Sequence, residues 1–190
     1  MVSVSRQEWQ TIRAAHLVKR GGVVAYPTEA VWGLGCDPLN RYAVEQLLSL
    51  KQRPVDKGLI LVSGNPEHFR DLLDPLPKDA QSRFYAPVDI PTTWLVPDIR
   101  GQVPEWVKGQ YNSVACRLSV HPLIRGFCGK LGSAIISTSA NPAGKAPATN
   151  PLRLRQYFGE QLDYILPGPL GKFRRPSVIR DLETDRVIRA

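Results

Sequence analysis

Leu47-Leu48-Ser49-Leu50-Lys51-Gln52-Arg53-Pro54-Val55-Asp56-Lys57-Gly58-Leu59-Ile60-Leu61-Val62 joins an apolar helix end to a buried strand through a short cationic loop. Val44, Leu47 and Leu48 fall on one helical face after Asn40, a residue suited to the N-cap. Leu59 to Val62 is an apolar run of strand length. Pro54 breaks the helix, so the three cations do not form a solvated helix face. They sit on a helix-to-strand connection, where a rigid scaffold brings side chains onto a ligand. Arg53 offers a planar fork for phosphate, while Lys51 and Lys57 are mobile point charges. Taken alone, the loop also reads as a solvated basic turn. A second unusual element, Ser137-Thr138-Ser139-Ala140-Asn141, shifts the balance, because it too follows an apolar strand, Ala134 to Ile136.

Working outward, helix and strand alternate along the chain. Ser5-Arg6-Gln7-Glu8 is a capping box for a first helix running to Arg20 and stopping at Gly21-Gly22. Val23 to Tyr26 reads as a strand ended by Pro27. Asn65-Pro66-Glu67 opens a third helix with proline at its first position, and Phe69, Leu72 and Leu73 form its apolar stripe. Strands are expected at Thr93–Val96, Ser113–Leu118, Ala134–Ser137, Tyr164–Leu166, Ser177–Arg180 and Arg186–Arg189. Helices are expected at Pro122–Leu131 and from Asn150-Pro151. Glu183-Thr184-Asp185 reads as a turn that makes the last two strands antiparallel. The whole is an α/β chain: a twisted mixed sheet with flanking helices, in one domain over residues 1–190.

The composition is that of a globular protein, with 43% hydrophobic and 22% charged residues in 190. Seventeen prolines punctuate the chain without forming a linker, and no repeat or low-complexity tract occurs. A net charge of +8 favours an anionic partner: nucleotide, RNA or an acidic surface. Cys36, Cys116 and Cys128 are odd in number and lack a C-x-x-C pair, against a disulfide framework and against a zinc site. Cys116 is expected to pack in a strand and Cys128 in a helix. The first twenty residues do not read as a secretory signal, and no apolar run is long enough to cross a membrane. A reducing cytoplasm is the expected compartment.

Common nucleotide loops are absent. Gly168-Pro169-Leu170-Gly171-Lys172-Phe173 lacks the spacing and the hydroxyl of a P-loop. The first βα-type junction, Tyr26 to Asp37, is not G-x-G-x-x-G. No serine lies in G-x-S-x-G. His16, His68 and His121 show no metal spacing and read as structural. Three loops are therefore read together. Tyr26-Pro27-Thr28-Glu29-Ala30 leaves a strand end with a hydroxyl, a carboxylate and free backbone donors, and is equally good turn chemistry. The Lys51–Lys57 loop supplies cations. Ser137 to Asn141, closed by Pro142-Ala143-Gly144, supplies hydroxyls and N–H groups able to cradle phosphate, or simply a hydroxyl-rich turn. In Ser113-Val114-Ala115-Cys116-Arg117, alternation buries Val114 and Cys116 and aims Ser113, Ala115 and Arg117 the other way. An arginine in an apolar strand requires an anion or a carboxylate.

These motifs, in order, carry a resemblance. Y-P-T-E-A with G-L-G-C-D, K-x-R-P-x-x-K-G-L-I-L, V-A-C-R, H-P-L, S-T-S-A-N-x-x-G and P-S-V-I-R-D run along nearly the whole chain. The ordered set resembles the YrdC/TsaC family of threonylcarbamoyl-AMP synthases, in the short form without an extra C-terminal domain. The resemblance implies a YrdC-like single domain with a wide basic cavity. It implies that L-threonine, bicarbonate or CO2, and ATP give L-threonylcarbamoyladenylate and pyrophosphate, for modification of adenosine 37 of tRNA by partner proteins. It places Thr28, Arg117 and Ser137 on threonine, with Arg117 on its carboxylate. It places Arg53 and Lys57 on the triphosphate with Lys51 beside them, as the catalytic cations. Ser113 and Ser139 would contact ATP, Asn141 would support its loop, and Arg189 matches a late arginine near the nucleotide. One segment departs from the family: Val88-Asp89-Ile90-Pro91-Thr92-Thr93 stands where W-P-G-P-x-T is common.

The implied chemistry has the threonine amine capture CO2 and the carbamate oxygen attack the α-phosphorus in line. Such a step relies on positioning and charge neutralisation. Mg2+ is expected on the ATP phosphates, without a dedicated protein site. Two other readings stay open at this stage. One is an RNA-binding module without catalysis, supported by the charge and by a basic tail from Lys172 to Arg189, with Trp94 and Trp106 available to stack bases if exposed. The other is a carbamoyl-transfer partner using the same cavity.

Overall fold

The computed structural model describes residues 5–173 and 175–190. Among the described residues, nine strands form one mixed sheet: β1 (Val24–Pro27), β2 (Trp32–Gly35), β3 (Ile60–Ser63), β4 (Thr92–Pro97), β5 (Ser113–Leu118), β6 (Ile135–Ser139), β7 (Tyr164–Ile165), β8 (Val178–Asp181) and β9 (Val187–Arg189). Their order is β7-β1-β2-β6-β3-β5-β4-β8-β9. β3 runs parallel to β5 and antiparallel to β6, so the strands that follow the cationic loop and precede the hydroxyl loop are neighbours. The helices are α1 (Arg6–Lys19), α2 (Arg41–Lys51), α3 (Arg70–Leu73), α4 (Lys78–Tyr85), α5 (Glu105–Lys108), α6 (Pro122–Leu131) and α7 (Pro151–Phe158).

Local sequence explains most boundaries. The Ser5 hydroxyl accepts from the Glu8 N–H, Asn40 from Ala43 and Asn150 from Arg153, each satisfying an otherwise orphaned helix donor. Helix α6 begins at Pro122 and is capped by Gly132, whose φ of 85° favours glycine. β8 and β9 are antiparallel, as the turn residues require. His16 is exposed on α1, His121 caps α6, and His68 bonds the Ser63 hydroxyl at 2.8 Å.

Three expectations need correction. The segment after Tyr26 is not a βα junction: it turns at Thr28–Val31 and returns as β2, antiparallel to β1. Trp32-Gly33-Leu34-Gly35 lacks the apolar density of a strand because its glycines make room. A Cβ on Gly35 would lie 2.4 Å from the Ile136 carbonyl and 2.8 Å from the Tyr26 ring. Helices α4 and α5 were not foreseen, being short and set in proline-rich sequence. The third helix begins as a 3₁₀ turn, Pro66–Phe69, before α3.

Strand alternation divides the core between two faces. On one face Leu34, Leu61, Trp94, Cys116 and Ile136 pack with Leu47 of α2, Leu73 of α3, Phe84 of α4, Val107 of α5 and Phe158 of α7. On the other, Val24, Tyr26, Val62 and Ile135 pack beneath Ala14 and Val18 of α1 and Ile124 and Phe127 of α6. Those two helices cover only part of that second face. Beyond them Ser137, Ile60 and Ala115 lie abreast across β6, β3 and β5, with Leu95 opposite Ala115 on β4. This uncovered stretch of sheet is the floor of the site.

Candidate active site

The cationic loop is shaped by its own backbone. Gln52 ends α2 with φ 51°, a left-handed conformation uncommon outside glycine. The chain reverses there, and the Arg53 N–H returns to the Leu48 carbonyl at 3.0 Å. Pro54 starts one 3₁₀ turn, Val55–Lys57, and Gly58 at φ 60° leads into β3. A Cβ on Gly58 would fall 2.9 Å from the Lys108 carbonyl, so the close approach to α5 requires glycine. The reversal sends Lys51 and Arg53 in different directions.

Two adjoining cavities, of about 220 and 280 Å3, lie over the uncovered sheet. Arg53, Gly58, Leu59, Ile60 and Arg189 line both, so they are two ends of one cleft. The first end gathers Thr28, Arg117, Ser137 and Ser139. The second gathers Lys57 and Ser113, with Tyr111 and Lys108. Residues spread over the length of the chain thus meet because alternate positions of β3, β5 and β6 share one face. Pro91 borders the first end, while Val88, Asp89 and Ile90 of the departing segment are exposed.

At the first end, Thr28 is buried and its hydroxyl donates to the Val31 carbonyl at 2.7 Å, keeping its lone pairs free to accept. Arg117 finds its carboxylate in Glu29, Nη2 to Oε2 at 3.5 Å, with both side chains nearly buried. The other Glu29 oxygen accepts from the Ser119 hydroxyl. The Tyr26 hydroxyl donates to the Ile136 carbonyl at 3.3 Å, and burial pushes its pKa up, which keeps it neutral. All three cysteines are buried, and burial raises their thiols, that of Cys128 to about 11, so none supplies a thiolate.

At the second end the cations are uncompensated. Among the described residues, Arg53, Lys57 and Arg189 form no ion pair, nor does Arg175 at the first end. Arg53 donates to the carbonyls of Lys57 (3.2 Å) and Gly58 (2.9 Å), which fixes its plane, and its Nε is buried without a partner. Burial, with the charge of Arg189 added, lowers the pKa of Arg53, a sign of positive charge held at some cost. Lys108 differs, being paired to Asp98 at 2.7 Å.

Lys51, expected beside the triphosphate, and Asn141, expected to support the hydroxyl loop, line neither cavity. Lys51 is 5% exposed and its ammonium donates to the carbonyls of Ser139 and, at 2.9 Å, Asn141. It ties the end of α2 to the hydroxyl loop instead of reaching the cleft. Burial, with Arg53 nearby, lowers its pKa to about 8, so it is charged at neutral pH. Asn141 donates through Nδ2 to the carbonyls of Pro142 (3.1 Å) and Lys145 (2.7 Å), and so holds the same loop closed. Part of the basic tail is engaged, while Arg174 lies outside the described residues. Arg175 and Arg189 turn into the cleft, and Arg180 pairs with Asp185 at 2.9 Å while its guanidinium lies over the Trp94 ring. Trp94 is 4% exposed and Trp106 donates to the Pro38 carbonyl, so neither is presented as a base-stacking platform.

Glu29, Ser119, Arg175 and Tyr111 were not singled out as site residues from the sequence. Only Glu29 had a local signal, its place beside Thr28 at a strand end. Among the described residues, no group of three or more His, Cys, Asp or Glu could hold a metal ion, and no helix is long and apolar enough to cross a membrane.

Comparison with known proteins bears on what this cleft is. The chain is 52% identical to the threonylcarbamoyl-AMP synthase of Marinobacter nauticus over 180 residues, 95% of each chain. It is 53% identical to that of Pseudomonas aeruginosa strain UCBPP-PA14 over 176 residues, 93% of this chain and 94% of the relative. The crystal structure of P. abyssi Sua5 complexed with L-threonine superposes with a TM-score of 0.82 at 29% identity. That match covers 92% of this chain but 51% of Sua5, so the chain spans about half of that protein's length. The family model Sua5_yciO_yrdC, described as telomere recombination, matches residues 16–190, and the chain belongs to this Sua5/YciO/YrdC family.

Proposed function

We propose that the chain is a threonylcarbamoyl-AMP synthase, joining L-threonine, bicarbonate or CO2, and ATP into L-threonylcarbamoyladenylate with release of pyrophosphate. The observation that carries this reading is the shared wall of the cleft: Arg53 and Arg189 line both a small hydroxyl- and arginine-bearing end and a cation-rich end. An amino acid seated at the first and a triphosphate at the second would meet at that wall. The relatives' names and the L-threonine complex of the P. abyssi protein support the same assignment.

In this reading Arg117 receives the threonine carboxylate, and Thr28 and Ser137 orient the rest of the amino acid. The carbamate formed on the amine then lies toward the Arg53 wall. Arg53 and Lys57 neutralise the departing pyrophosphate, with Arg189 adjacent, while Ser113 and Ser139 contact the nucleotide. The donors of the cleft are cations and hydroxyls, and Glu29 is engaged by Arg117 and Ser119. That set does not suit Mg2+, which takes oxygen ligands and favours carboxylates and phosphates. Mg2+ would arrive instead with ATP, held by its phosphates, and would supply charge neutralisation there. Preorganised cations in a partly dry cleft supply the rest, because they need no reorientation as charge develops. The amine reacts only when neutral, so the rate rises with pH toward the amino group's pKa.

Lys51 and Asn141 serve this scheme by holding the Ser137–Asn141 loop. The adenylate is passed on to tRNA by other proteins, and tRNA is not required for its formation. The test is pyrophosphate release from ATP by the purified chain. Release that depends on both threonine and bicarbonate, without tRNA, is expected. Threonine-independent release would instead point to another carbamoyl adenylate. No release, with tRNA binding whose log affinity falls with log salt by about 0.7 per phosphate contacted, would point to an RNA module.

A further inference from the structure

Glu29 sits beside Thr28 on the turn between β1 and β2 and is 4% exposed. One of its oxygens is fixed by the Ser119 hydroxyl. The other, Oε2, lies 3.5 Å from Arg117 Nη2, close enough for attraction but without a hydrogen bond. Arg117 Nε is likewise buried and unpartnered. Buried polar atoms are nearly always paired. Here two side chains of the cleft wall that approach to 3.5 Å carry one unfilled acceptor and one unfilled donor.

The backbone holds them there. The Gly171 N–H donates to the Thr28 carbonyl at 2.9 Å, and the Phe173 N–H to the Glu29 carbonyl at 3.1 Å. A Cβ on Gly171 would lie 2.7 Å from the Glu29 Cα, so the segment 171–173, a strap over the site, is pressed onto the turn. Glu29 is therefore placed by its turn, by the strap and by Ser119, and the gap toward Arg117 is a built feature.

A lone arginine receives any carboxylate. An arginine beside a carboxylate with a free oxygen suits a ligand carrying an anion and an N–H donor a short distance apart, as the α-carboxylate and α-nitrogen of an amino acid do. We infer that Glu29 Oε2 reads the α-nitrogen of the substrate while Glu29 orients Arg117 for its carboxylate, making the site selective for α-amino acids over acids lacking that nitrogen. This deepens the function proposed above and rests on it in taking threonine as the ligand. An N–H persists in the ammonium, the free amine and the carbamate, so the contact can be kept throughout. Selectivity follows because an analogue without the nitrogen leaves a buried acceptor unpaired.

Calorimetric titration of the full chain with L-threonine and with 3-hydroxybutanoate, which is threonine without its amino group, tests this. The wild-type chain is expected to favour threonine by at least about 30-fold, within the range of sites that reject a substrate lacking a hydrogen-bonding group. Glu29→Gln should weaken threonine binding about tenfold and narrow the threonine preference at least about fivefold, in line with loss of a charged hydrogen bond. Glu29→Asp, which keeps an acceptor, should recover part of the preference, and ATP binding should stay unchanged throughout. Equal wild-type affinity for the two ligands would overturn the inference however the variants fold. So would an unchanged preference in Glu29→Gln, or loss of ATP and threonine binding together. Because binding is read without turnover, threonine binding without pyrophosphate release would refute the reaction and leave the Glu29 contact standing.

Discussion

At one end of the cleft Arg117 faces Glu29 in a nearly buried pair, and at the other Arg53, Lys57 and Arg189 gather with no acidic partner. At the first end the charge of Arg117 is already matched by Glu29, so that pair belongs to the fold as well as to the site. The second end carries excess positive charge, which an anionic ligand relieves. Substitutions at the two ends should therefore separate into those that cost stability and those that cost rate.

The largest effect is expected from Arg117→Ala. It strands Glu29 as an unpaired buried charge, and breaking such a pair costs about 3–5 kcal/mol of stability. Threonine affinity should fall by about 10- to 100-fold while ATP affinity holds, an expectation based on loss of a charged hydrogen bond. Urea unfolding and titration with each ligand check both halves. Weakened ATP with untouched threonine would reverse the two ends.

Arg53→Ala should do the opposite. Its turnover should drop on the order of 10²-fold, as for removal of one preorganised donor. Its stability should change by less than about 1 kcal/mol, because only hydrogen bonds to loop carbonyls are lost. Full turnover, or unfolding comparable to Arg117→Ala, would break the contrast.

Lys51, which lines neither end, sharpens the comparison. Lys51→Met should cost about 1–2 kcal/mol at pH 7, since the Asn141 carbonyl loses its donor. Its pH dependence has a definite sign. The folded pKa, about 8, lies below the ordinary lysine value of 10.5, so above pH 8 the unfolded chain holds more protons. Stability of the wild type relative to Lys51→Met should therefore rise between pH 8 and 10.5, by on the order of 2 kcal/mol, and be flat below that window. Unfolding both chains in urea across that range measures it. A relative stability that falls with pH would mean that the two carbonyls hold the ammonium more strongly than burial opposes it.

The sequence by itself determined the helix caps at Ser5, Asn40 and Asn150, the bounds of α6, the antiparallel turn before β9 and the face of β5 that carries Ser113 and Arg117. These follow from local sterics, short-range hydrogen bonds and the two-residue period of a strand. It also brought the cationic and hydroxyl loops under one reading, since each follows or precedes an apolar strand. The tertiary structure alone decided that Trp32-Gly33-Leu34-Gly35 is a strand, because its glycines answer to Tyr26 and Ile136 from other strands. It decided that Lys51 braces a loop while Arg53 lines the cleft, through one left-handed residue between them. It paired Arg117 with Glu29, and it turned Arg175 and Arg189 into the cleft. Each of these depends on which distant strands become neighbours, and sheet register is a property of the whole chain that no local pattern contains.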